Sequence, residues 1–144
     1  MSISKTSYRE NIAKNIVSEL REIKAVRFVT REVFDPSELS DAQVPAVLVL
    51  SGSERKTDIT KSSRQGTIEF ILTGFVKGKY LDTARNKLLD DIETKLYEDT
   101  KRNGYASDTV VTEVNTDEGA TFPLGAVQII VQVEYIHPKG DLDK

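Results

Sequence analysis

An α+β fold, a single mostly antiparallel β-sheet with two helices packed on it, is what three stretches of this sequence predict. Residues 66–77 are rich in β-branched and aromatic side chains, and residues 78–80 break that pattern before the period changes. In the stretch that follows, Leu81, Ala84, Leu88, Ile92 and Leu96 recur at spacings of three and four with Leu89 alongside, while Asp82, Asp90, Asp91, Glu93 and Lys95 fall elsewhere. A helix with one apolar stripe and an otherwise wet surface has to lie on a sheet. Residues 126–136 give the clearest alternation. Val127, Ile129, Val131, Val133 and Tyr135 line one face, and Gln128, Gln132 and Glu134 the other, with Ile130 the exception.

The other elements fit around these three. Ser7 with Glu10 reads as a capping box, and Ile12, Ala13, Ile16, Val17, Leu20 and Ile23 mark one face of a helix ending near Lys24. Residues 26–33 suit a half-exposed strand at a sheet edge. Residues 34–43 follow no period and form an acidic connector, with a turn signal at Asp35 and Pro36 and Leu39 as anchor. Residues 44–50 are an almost continuous apolar run, a strand buried on both faces, with Pro45 at its start, where a missing N–H costs least. Residues 51–65 contain one apolar side chain, Ile59, and predict a long, mobile β-hairpin loop, after which residues 67–77 pair back along 44–50. Gly104 suits the left-handed position after the central helix, and residues 107–116 read as a strand with Val110, Val111 and Val114. His137 to Gly140 stop the last strand, and 141–144 form a polar tail expected to be poorly ordered. The expected order is α-β-β-β-α-β-β, with connections too short for parallel crossovers except where the second helix intervenes.

At 144 residues the chain fits one domain spanning 1–144, able to bury roughly 68–70% of its unfolded surface. The absence of cysteine excludes disulfides and thiol chemistry and fits a reducing compartment. A formal net charge of −3 gives no global basic field for nucleic acid, and no long uncharged apolar run suggests a signal peptide or membrane span, so a soluble protein is expected.

No constellation predicts catalysis, a cofactor or a metal site. His137 is the only histidine, beside a proline at a strand end, and its sequence neighbours offer no orienting partner. Asp90, Asp91 and Glu93 include neighbours that point about 100° apart on a helix, which fits a solvated face better than a divalent-ion site. Gly74 and Gly78 match no phosphate-loop spacing and read as strand-end glycines for a bulge or turn. The loop residues Arg55, Lys56, Lys61 and Arg64, set against Asp58, are the candidate contact site for phosphate or an acidic protein surface. No aromatic side chain interleaves them, which argues against stacking on single-stranded nucleic acid.

The layout resembles the tail terminator, or tail completion, proteins of long-tailed bacteriophages. Residues 9–20 (RENIAKNIVSEL), 44–52 (VPAVLVLSG), 70–76 (FILTGFV) running into 84–96 (ARNKLLDDIETKL), and 117–119 (DEG) with 125–135 (GAVQIIVQVEY) carry that resemblance. It implies a non-enzymatic virion protein of the tail neck, assembled in the host cytoplasm as a homo-oligomeric ring, of six copies. Such a ring stops polymerisation of the tail tube at its head-proximal end and joins the head connector. Its implied partners are other copies of itself, the tail tube protein and a head connector or neck protein, with DNA passing through the lumen without sequence-specific binding, and no membrane. The alternatives are another neck or head–tail connector protein, a small nucleic-acid-binding module using the 55–64 loop, and an enzyme with an unrecognised site.

Overall fold

The computed structural model describes residues 7–119 and 122–143. Helix α1 spans Tyr8–Arg21 and is capped by Ser7, whose Oγ accepts from the Glu10 N–H at 3.1 Å. Only that half of the capping box forms. The Glu10 carboxylate accepts instead from both terminal nitrogens of Arg31, at 2.7 and 3.0 Å. The helix stops three residues short of the predicted end, because the N–H groups of Glu22 and Ile23 turn back on the Glu19 and Leu20 carbonyls in a tighter final turn.

Five strands form the sheet: β1 Phe28–Thr30, β2 Ala46–Asp58, β3 Ser63–Lys77, β4 Asp108–Thr116 and β5 Leu124–Pro138, in the order β1-β2-β3-β5-β4. Helix α2, Leu81–Tyr97, links β3 to β4. The expected fold class and element order are present, with one correction. β1 runs parallel to β2 with no helix between them. A parallel return needs roughly a dozen residues. Residues 31–45 supply that length with two single 3₁₀ turns, Pro36–Glu38 and Asp41–Gln43. Phe34 and Leu39 from this connector pack with Phe28, Leu48 and Phe75 on the outer face of the sheet, so the connector is a small cover as well as a link.

Both helices lie on the other face, α1 over β1 and β2, and α2 over β3, β5 and β4. The main core sits between: Ile12, Ile16 and Leu20 of α1 and Leu88, Ile92 and Leu96 of α2 against Val47, Val49, Phe70, Leu72, Ile129 and Val131. α2 comes so close that a Cβ on Gly74 would stand 2.6 Å from Leu88 Cδ2. Gly74 is therefore a mid-strand site of close helix approach rather than a strand-end glycine, whereas Gly78, at φ +138, does form the turn.

Two further expectations are overturned. The predicted loop of residues 51–65 is strand except for 59–62, where Thr60 Oγ1 accepts from the N–H groups of Ser62 and Ser63. Polar composition misled here because the ladder to β5 satisfies the β3 backbone out to Ser63 whatever the side chains are. The expected loose tail is also docked as far as Asp143: the Tyr8 N–H donates to the Leu142 carbonyl at 2.9 Å, and Ser7 bridges to Asp143.

Candidate functional site

The bulge in β2 organises the hairpin end. Gly52 and Ser53 together oppose Glu69, so the alternation shifts by one and Glu54, Lys56 and Asp58 face the helices, while Arg55 and Thr57 face outward. Glu54 then meets Arg9 at the start of α1 and accepts from the Tyr135 hydroxyl at 2.6 Å, with Lys56 Nζ at 3.1 Å. Lys56 donates to Tyr135 Oη at 2.8 Å, stands 2.7 Å from His137 Nε2, and lies 4.7 Å from the centre of the Tyr135 ring. Tyr8, Tyr135 and His137 form a triangle of rings, with Tyr8 and His137 each centred 5.5 Å from Tyr135 and 6.3 Å from each other. Space for that ring comes from Gly66, where a Cβ would stand 2.5 Å from Tyr135 Cε1.

Burial alone would raise the Glu54 carboxyl, but the hydrogen bonds from Arg9, Tyr135 and Lys56 outweigh it and hold it below its ordinary range. Burial, reinforced by the bond to Glu54, pushes the Tyr135 hydroxyl up. This is a clasp that ties α1, β2 and β5 together. Its cations and its one carboxylate satisfy each other, and His137 lies beneath, 3% exposed.

The four candidate contact residues do not form one patch. Lys56 belongs to the clasp, and Arg64 pairs across the hairpin with Asp58 at 2.8 Å, which Lys139 also approaches at 3.3 Å. Arg55 on the outer face and Lys61 in the turn are exposed. Asp91 pairs with Lys87 on α2 at 2.6 Å, so it stands apart from exposed Asp90 and Glu93. Among the described residues no group of three or more acidic or histidine side chains could hold a metal, and no helix is long and apolar enough to cross a membrane.

The sequence reading places residues 26–33 at a sheet edge, as β1 is, but does not identify β4 as the other border or β2 as partly open. β1 covers β2 only from Ala46 to Leu48, so the β2 edge is uncovered from Val49 onward. At the opposite border β4 pairs on one side only, contains no lysine, arginine or proline, and exposes Val110 and Val114 by 42% and 43%. A signal was present in the sequence, since valines at 110, 111 and 114 put apolar side chains on a strand that only Asp108 and Glu113 charge.

No family model matches this chain, and no curated protein matches it. Among solved structures, a chain described as "Virion of native gene transfer agent (GTA) particle" superposes on it over 91% of this chain and 92% of that one, with 6% sequence identity and a TM-score of 0.42.

Proposed function

We propose that this chain is a non-enzymatic virion assembly protein of the tail-terminator kind. Six copies close a ring that caps the head-proximal end of a tail tube, halts its polymerisation and offers a joining surface to the head connector. The reading rests on the sequence resemblance, which spans the opening helix, the β2–β3 pair running into α2, and the last strand. The structural observation that supports it is the β4 border, paired on one side only with Val110 and Val114 exposed; the bulge before Glu113 and the Tyr97 hydroxyl on the Val111 N–H keep it from extending as a ladder, so a neighbour would meet it through side chains. The same openness suits another head–tail connector protein, which is the second reading.

Length control separates the two. Tail tube protein polymerised in the presence of this protein should give tubes that carry a cap at one end by electron microscopy and stop growing, while purified protein measured with the tube protein gains mass in steps of a sixfold ring. Tubes that lengthen at the same rate with and without it would exclude the terminator role.

A further inference from the structure

The two borders of the sheet differ in charge as well as in position. On α2 the Tyr97 hydroxyl accepts from the Val111 N–H at 2.9 Å, which hooks that side of the helix over the β4 edge. Asp90, Glu93 and Tyr97 are exposed along this side and line one shallow depression. Lys95, on the other side of α2, turns to Glu22 of α1 at 2.8 Å. Asp90 and Glu93 form no salt bridge among the described residues. Toward α2, α1 directs Glu19 to Arg102 at 2.8 Å; on its opposite flank it presents Lys14 and Arg21, which with Thr30, Arg31 and one acid, exposed Glu32, line an open groove. Arg31 is held by Glu10 and Arg21 donates to the Val29 carbonyl at 3.1 Å, but neither Lys14 nor Arg21 forms a salt bridge among the described residues.

We infer that copies of this chain join head to tail, the acidic α2–β4 flank of one seated on the basic α1–β1 flank of the next. Unlike flanks on opposite sides of one subunit define a heterologous contact, which generates a ring when the rotation closes, whereas a two-fold contact through either flank would bring like charges together. Tyr97 already takes the Val111 N–H, so the contact is carried by Asp90 and Glu93 against Lys14 and Arg21, with Val114 on the helix side of β4 covered between them, and not by a continuous strand ladder. This inference rests on the ring reading above and adds which surfaces meet.

Charge exchange between copies tests it. Asp90→Lys with Glu93→Lys, and separately Lys14→Glu with Arg21→Glu, should each leave the melting curve close to that of the unmodified protein and reduce the assembled fraction about tenfold or more, in solution or on tube ends. Mixed in equal amounts, the two variants should assemble again, because in a ring of alternating copies every reversed flank meets a reversed partner and every native flank a native one. Assembly of either variant alone at the unmodified level, or failure of the mixture to recover, overturns the inference while leaving the ring standing. Absence of rings from the unmodified protein on tube ends would instead remove the ring reading and the inference together.

Discussion

Along β2, β3 and β5 the face beneath the helices changes chemistry at the β2 bulge. On one side Val47, Val49, Phe70, Leu72, Ile129 and Val131 meet α1 and α2 through apolar contact alone. On the other side the same three strands are tied to α1 by Glu54, Lys56, Tyr135 and Arg9, with Gly66 leaving room for the Tyr135 ring. The apolar half responds to lost volume, and the clasp to lost charge or to protonation. Beneath the helices the face of these three strands thus carries no titratable side chain in one half and several in the other.

The largest effect that would test this division is in the apolar half. Ile92→Ala or Leu88→Ala should cost about 2–5 kcal/mol in denaturant unfolding, as both side chains are buried on the stripe of α2. A loss below about 0.5 kcal/mol at both positions would mean that α2 does not seal the core. In the clasp, Glu54→Gln should cost about 1–3 kcal/mol, since it leaves Arg9 and Lys56 without their shared carboxylate. Lys56→Gln should fall in the same range or somewhat below it. That sets Lys56 apart from the exposed residues it was grouped with in the sequence.

Acid should separate the two halves more finely. With the Glu54 carboxyl held below its ordinary value near 4.5, folding favours its ionised form, so the stability it contributes is complete above that value and lost as pH falls through the lower, folded-state value. Glu19 acts in the opposite sense, because burial outweighs Arg102 and raises its carboxyl, so its protonation favours the folded state. Melting temperatures followed below pH 5 should fall for the unmodified protein and fall less steeply for Glu54→Gln. Identical slopes would show that the clasp is not the acid-sensitive element. The smallest effect is expected at the hairpin surface, where neutralising Arg55 and Lys61 together should shift stability by no more than about 0.5 kcal/mol. If these two residues meet the tube or connector, the same change should weaken attachment most at low salt.

Period and composition made the central elements legible. The stripe of Leu88, Ile92 and Leu96 and the alternation from Val127 to Tyr135 are each dictated by one repeating spacing, and the structure follows them. The hairpin beyond Ser51 was hidden because a single bulge at Gly52 and Ser53 shifts the alternation, and because its inward side chains are charged. The clasp was hidden for a different reason. Its members come from positions 8, 9, 54, 56, 135 and 137, and only the sheet register of β2, β3 and β5 brings them together, so no local motif announces them. The parallel entry of β1 likewise depends on how Phe34 and Leu39 settle on the outer face, which no periodicity records.

The β3–β5 ladder has one more consequence, in time rather than in space. It is unbroken from Ser63 with Pro138 to Lys77 with Leu124, and every pair in it is separated in sequence by at least α2 and β4. Such pairing has to wait for a long loop to close, which places folding on the slow side for a chain of this size. β5 leaves the ribosome after the other four described strands, and without it β4 has no partner and α2 has only part of its bed. A nascent chain therefore cannot present a paired β4 border to a neighbour until β5 has been made. Synthesis order itself delays contact between incomplete subunits, and amides in the middle of β3 and β5 should be the last to exchange with solvent.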